Sequence, residues 1–325
     1  MIQVDHLSKI YRVHKKEEGL KASIKSLFHR KYTSIEAVKD ISFSIEQGEL
    51  VGFIGPNGAG KTTTLKMLSG LLFPTSGKAE VLGFTPHQRK DSYLKQISLM
   101  MGQRSQLWFD LPAIETFSLN RDIYEVEETQ YRTVLNELTE LLDVKDVLNQ
   151  QVRNLSLGQR MKCEFIAGLL HNPKILFLDE PTIGLDIAMQ KNVREFIKTY
   201  NKKYNATVIL TSHYMDDVKE ICKRIIMIDH GSIIFDGSMS EMIKEYANHK
   251  MLKPIFNAPV TRHELEKIGE VVEFEYPKAL IHVPREQTSK KAAELLEKFD
   301  VEDIEIAEPE LEEIVRVVFE KKKKI

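Results

Sequence analysis

Cysteine is scarce in this chain. Only Cys163 and Cys222 occur among 325 residues, with neither metal-ligand spacing nor the density of a secreted disulfide scaffold. A reducing cytoplasm is the expected setting. An excess of one charge is also missing: 46 Lys and Arg stand against 48 Asp and Glu, a formal net charge of −2. That balance argues against a chain whose main task is to coat nucleic acid, and no nucleic-acid partner is expected. Long apolar runs are absent too. The longest stretch free of Asp, Glu, Lys and Arg is the twelve residues 204–215, whereas a spanning helix needs about 20 apolar residues. The N-terminal MIQVDHLSKIYRVHKK has no apolar core followed by a cleavage site, so no signal peptide is expected. Any membrane role must come through a partner. What the chain does have is 42% hydrophobic and 29% charged residues. That is enough to bury a core, and the length allows two domains.

The pattern along the chain predicts a first strand over 2–13, then a break over 15–33. Within the break, Leu20, Ile24, Leu27 and Phe28 share one helical face, with Lys21, Lys25 and Arg30 on the other. Such a helix either packs on its own domain or touches an anionic membrane surface. From residue 37 the chain alternates β and α. ISFSI, LVGFIG, KAEVLG, QISLMM, KILFLDE, ATVILTS, RIIMID and SIIFDG read as strands, and 112–171 reads as mainly helical. Near-continuous apolar strands alternating with helices imply a mostly parallel sheet covered on both faces. Residues 253–325 read strand–helix–strand–strand–helix–strand plus a last helix, a small ferredoxin-like α+β order. The junction is placed near 247–254, and the KKKK ending is expected to be a frayed tail.

Three motifs carry the chemistry. Gly55-Pro56-Asn57-Gly58-Ala59-Gly60-Lys61-Thr62, followed by Thr63, fits G-x-x-x-x-G-K-[ST] between a predicted strand and a predicted helix. There, backbone N–H groups and the helix N-terminus face phosphate oxygens. Lys61 would reach the β- and γ-phosphates, and the Thr62 hydroxyl would ligate magnesium. About 120 residues later, ILFLDE ends a buried strand on two carboxylates. Asp179 would hold the magnesium through water, and Glu180 would polarise the attacking water, as in-line phosphoryl transfer requires. Third comes Leu155-Ser156-Leu157-Gly158-Gln159, ahead of a predicted helix for which Ser156 is a natural N-cap.

Together these motifs resemble the ATP-binding cassette (ABC) ATPases, whose signature is usually LSGGQ. The resemblance implies further roles. Gln103 in MMGQRSQLW is the loop glutamine, also near the metal, with Gln106 the second candidate. Asp186 in Gly184-Leu185-Asp186 belongs to the D-loop, and His213 in LTSH is the switch histidine. Tyr11 stacks on adenine. Ser156, Gly158 and Gln159 complete the nucleotide site of a second cassette. Leu157 departs from the family pattern, standing where the first signature glycine usually is; packing near the ribose or base is one possible role for it.

The expected fold is therefore α/β: a P-loop NTPase cassette of ABC type at 1–250, with an inserted helical subdomain at about 110–172. A C-terminal α+β domain occupies 251–325, read either as a dimerisation or regulatory module or as a stabilising extension. The expected function is the ATP-hydrolysing subunit of a membrane transporter, using ATP and magnesium. It would work as a homodimer or related heterodimer, bound to integral-membrane permease subunits on the cytoplasmic face. The phrases AVKDISFSIEQGE and FLDEPTIGLD resemble bacterial ATPases of drug, peptide or polymer exporters. The alternative is a soluble regulatory or translation-associated ATPase. A P-loop kinase has no use for LSLGQ or the switch histidine. Leu107-Trp108-Phe109 would suit a groove for a membrane subunit, or Trp108 is simply buried in the subdomain.

Overall fold

The computed structural model describes residues 1–14, 32–102, 104–212 and 214–322. The amphipathic segment at 20–28, Gln103 and His213 lie outside the described residues. Two compact units emerge, Met1–Asp236 and Gly237–Ile325.

In the first unit, β1 (Ile2–His14) pairs antiparallel with β2 (Tyr32–Ile45) on one side and β4 (Ser76–Val81) on the other. β2 is longer than ISFSI suggested. Its pairing with β1 continues to His14↔Tyr32, so partner strands extend a segment whose own alternation is weak. A second sheet runs β5-β6-β7-β3-β8-β9. Its members are β3 (Leu50–Ile54), β5 (Ile97–Met101), β6 (Ile175–Asp179), β7 (Thr207–Thr211), β8 (Arg224–Asp229) and β9 (Ser232–Ser238). β5, β6, β7, β3 and β8 are parallel. Every residue of β6 and β7 is buried, as a sheet covered on both faces requires. β9 follows β8 through His230 and Gly231, both with positive φ, the conformation of a tight primed hairpin turn. The core between the two sheets includes Ile2, Leu7, Ile41, Phe53, Phe177 and Ile226, joined by Leu65 and Leu68 from α1 (Lys61–Leu68).

After the short α2 (Asp91–Leu94), the helices between β5 and β6 are α3 (Ala113–Ile123), α4 (Glu128–Leu142) and α5 (Leu157–Leu169). α6 (Ile187–Tyr204) and α7 (Met215–Ile221) follow β6 and β7. No helix among the described residues is long and apolar enough to cross a membrane.

The second unit opens with α8 (Met239–Tyr246), which the sequence reading left unassigned. Its signal was present, since Ser238 and Glu241 form a capping box. α8 packs with α11 (Leu311–Lys322), so the division falls at 236/237, before the junction expected near 247–254. The sheet is antiparallel with order β11-β12-β10-β13. Its strands are β10 (His249–Phe256), β11 (Glu270–Glu275), β12 (Lys278–Pro284) and β13 (Val301–Ala307). With α9 (Arg262–Leu265) and α10 (Thr288–Lys298), this is the ferredoxin-like βαββαβ arrangement.

Candidate nucleotide site

In an open parallel sheet, ligands bind beyond the carboxyl ends of the strands. The order β6-β7-β3 brings three such ends side by side. β3 leads into the loop 55–60 and α1. β6 ends at Asp179, and β7 between them ends at Thr211.

The loop is shaped for close backbone approach. Gly60 has φ 112, and a Cβ there would lie 2.5 Å from the Ala37 carbonyl oxygen; one on Gly55 would lie 2.2 Å from that of Ile228. Pro56, Asn57 and Gly58 form the exposed tip, while Ala59 is buried and its carbonyl accepts from Gly231 N (2.9 Å). α1 starts without a side-chain cap and without an acidic residue in its first turn. Its leading N–H groups, toward Thr62 and Thr63, therefore suit an anion.

Lys61 is only 5% exposed, and its Nζ donates to the carbonyls of Gly55 (2.6 Å) and Pro56 (3.1 Å). Burial pushes its ammonium below the ordinary lysine range, opposed by the nearby Glu180 and Asp179 carboxylates. Thr62 Oγ1 donates to Asp179 Oδ2 (2.8 Å), and Thr211 Oγ1 donates to Asp179 Oδ1 (2.7 Å). Glu180 then leaves the strand in the left-handed region, φ 55, with its N–H donating to Thr211 O and Oγ1, both at 3.1 Å. Such a conformation costs about 1–2 kcal/mol for a non-glycine residue. It turns Glu180 out of the strand direction that fixes Asp179. The Thr62 hydroxyl and the Asp179 carboxylate form an oxygen donor pair that fits magnesium.

The other expected site residues stand elsewhere in the unit. Ser156 caps α5: its hydroxyl accepts from Gln159 N (3.2 Å), while Gln159 Oε1 accepts from Ser156 N (2.9 Å). Gln159 thus uses its side chain on the cap. Gly158 lies against Met189. Leu157 is 40% exposed and lies beside Gly184. Asp186 caps α6, accepting from Met189 N (2.8 Å). Tyr11 sits opposite Ile35 in β1, with Lys9 Nζ 5.4 Å from its ring centre. Leu107 is buried, whereas Trp108 (59%) and Phe109 (48%) are exposed; burial of the tryptophan in the subdomain is thereby set aside.

Besides Thr211, sequence reasoning missed Glu164, Asp217 and Arg194. Glu164 of α5 is buried and accepts from Ser105 Oγ and from the N–H groups of Gln106 (2.9 Å) and Leu107 (3.5 Å). It anchors the chain that follows Gln103. Gln106 itself donates its side chain to Leu99 O (3.3 Å). Asp217, 1% exposed, accepts from Thr182 Oγ1, Ser212 Oγ (2.6 Å) and Arg194 Nη1 (3.0 Å). Arg194 also meets Glu220 (2.8 Å). This buried network joins the residue before His213 to the segment that follows Glu180. No motif announces either group, because the partners are distant in sequence.

Fold and site together define a P-loop nucleoside triphosphatase with a helical insertion. Comparison with known proteins gives the particular group. The ABC transporter family matches residues 38–183, and the EvrA-like ABC transporter C-terminal domain matches 248–307. The ABC transporter ATP-binding protein NatA of Bacillus subtilis is 33% identical over 235 residues, 72% of this chain and 95% of that protein. The bacitracin transport ATP-binding protein BcrA of Bacillus licheniformis is 32% identical over 212 residues, 65% of this chain and 66% of that one. The cholesterol transporter ABCA5 of Rattus norvegicus is also similar, but the chain spans 18% of its length. Among solved structures, a dimeric ATP-binding cassette in a post-hydrolysis state bound to ADP and Pi superposes with a TM-score of 0.60 at 22% identity, covering 74% of this chain and 99% of that one. The chain belongs to the ABC transporter family and is its ATP-binding, ATP-hydrolysing subunit.

Proposed function

We propose that this ATPase drives a membrane exporter by closing as a pair of cassettes around ATP. The observation that carries the reading is the Thr62–Asp179–Thr211 cluster beside Lys61 and Glu180. Lys61, with the loop amides of residues 57–63, binds and orients the β- and γ-phosphates. Glu180 holds the attacking water and takes its proton as the water oxygen bonds to the γ-phosphorus and the bond from that phosphorus to the β–γ bridging oxygen breaks, leaving ADP and phosphate. Magnesium, when bound, neutralises charge on the phosphates, and Thr62 and Asp179 would hold it. The family resemblance assigns Gln103 to the metal, His213 to the γ-phosphate and Tyr11 to the adenine, roles each would take up with nucleotide bound.

Ser156 and Gly158 stand at the start of α5, where an exposed helix end can meet the γ-phosphate of a second cassette. Gln159 and Asp186 support that surface through their caps. ATP then favours closure by its differential affinity for the closed pair, and hydrolysis removes the bridging γ-phosphate. The exposed Trp108 and Phe109 would serve as aromatic anchors for a permease subunit, in keeping with work at the cytoplasmic membrane face. Similarity to BcrA and NatA supports export. The C-terminal domain (251–325) serves as an accessory dimerisation module, with Val272 and Ile306 exposed on its edge strands.

Two measurements test the reading. Lys61→Ala should weaken ATP binding at least about tenfold, as loss of a charge-assisted contact requires; unchanged affinity contradicts it. Affinity purification from membranes should recover a permease of several apolar spans, less of it with Trp108→Ala. Recovery of soluble partners alone would contradict the transport role.

A further inference from the structure

The second unit contains three ligating side chains that nucleotide chemistry does not use. His249 opens β10, His282 lies in β12, and Glu313 is in the first turn of α11. β10 and β12 are antiparallel with Met251 opposite His282, so His249, two residues from Met251, shares the face of His282. The two imidazoles stack with ring centres 4.1 Å apart. Glu313 reaches both: Oε1 lies 3.2 Å from His249 Nε2, and Oε2 lies 4.0 Å from His282 Nε2. One ligand atom from each residue falls within 4.8 Å of the others.

The two Nε2 atoms are shut off from solvent, and neither has a hydrogen-bond partner among the described residues. Buried nitrogens that face a carboxylate without an aligned hydrogen bond call for an explanation. A single divalent cation would engage both nitrogens and the carboxylate at once.

We propose that His249, His282 and Glu313 form a binding site for a divalent transition-metal ion of the zinc class, which ties α11 to the sheet of this unit. Two imidazoles and one carboxylate are a zinc donor set with a fourth position open, whereas magnesium and calcium favour oxygen ligands. Tetrahedral zinc with bonds of about 2.0–2.2 Å places its ligand atoms about 3.3–3.5 Å apart. The His249–Glu313 separation of 3.2 Å is already close to that spacing, and since His282 meets the other carboxylate oxygen at 4.0 Å, three single ligand atoms lying within 4.8 Å of one another draw in by at most about 1.5 Å.

The 325-residue chain, freed of metal by chelator and kept free of nucleotide, is titrated with Zn2+ by calorimetry and with Co2+ by visible absorption. The site predicts one saturable zinc ion per chain that survives Asp179→Asn, and cobalt bands of a low-coordinate N/O environment. His282→Gln and Glu313→Gln should each weaken zinc at least about tenfold, and zinc should slow amide exchange at the start of α11 only in the unaltered chain. No saturable site, equal affinity in folded Gln variants, or loss with Asp179→Asn overturns the proposal. Should the variants fail to fold, the unaltered chain decides: one equivalent of zinc must shift the imidazole nitrogen resonances of His249 and His282 in NMR spectra, and unchanged resonances overturn the proposal.

Discussion

Glu164→Gln tests whether the loop around Gln103 is held from behind. The carboxylate accepts Ser105 Oγ and Gln106 N on Oε1 (the latter at 3.1 Å), Gln106 N again on Oε2 (2.9 Å), and Leu107 N on Oε1 at the limit of 3.5 Å. Glutamine has nearly the same shape but presents one oxygen and one NH2. Wherever the NH2 points, at least one strong acceptor is lost, and a donor faces a donor in a site 6% exposed. Losing one hydrogen bond to a charged group costs about 1.5–3 kcal/mol. For a unit of this size, that lowers the melting temperature by roughly 3–12 °C, read by calorimetry. If part of this energy orders the loop, steady-state ATP turnover falls about tenfold for each 1.4 kcal/mol so used. Ser105→Ala removes a single hydroxyl donor and should cost about 1 kcal/mol. An unchanged melting temperature together with unchanged turnover in Glu164→Gln would refute the anchoring role.

Other outcomes follow from the same structure. Asp217→Ala leaves the buried Arg194 with Glu220 alone and removes the acceptor of Thr182 and Ser212, and should destabilise the first unit by about 2–4 kcal/mol, measured by denaturant unfolding. Gly60→Ala places a Cβ against the Ala37 carbonyl at positive φ and should abolish ATP binding, measured by nucleotide titration. His171 is pushed down to about 4 by burial, against its hydrogen bond to Ile97 O (2.9 Å) and an ordinary value of 6.5. The unfolded chain therefore takes up this proton first. His171 should contribute fully above about pH 6.5, and on the order of 3 kcal/mol should be lost as pH falls to about 4. Urea unfolding across that range should show the loss, and His171→Gln should flatten it.

Much of the machinery was legible because it is local. The loop 55–63, the strand ending in Asp179 and Glu180, and the Ser156 cap each occupy one short segment whose turn, period or N-cap chemistry is fixed by neighbours in sequence. The ferredoxin-like order was readable for the same reason, since strand and helix periods alternate cleanly after residue 253. What escaped depends on tertiary proximity. Glu164 meets its donors 57–59 residues away, Thr211 meets Asp179 32 residues away, and Asp217 meets Thr182 35 residues away. The His249–His282–Glu313 cluster likewise spans two strands and a helix, so no spacing rule could have announced it. Helix α8 is different: its capping box lay in plain view at Ser238 and Glu241, masked by the apolar strand that runs into it.

The central claim is that Glu180 activates water while Lys61, Thr62 and Asp179 hold the nucleotide. Its most direct measurement is single-turnover phosphate release by Glu180→Gln, with ATP-dependent dimerisation followed in the same samples. The account predicts near-normal ATP affinity, hydrolysis reduced at least about 100-fold, and a dimer that persists while ATP is bound. Phosphate release at the rate of the unaltered protein would contradict it.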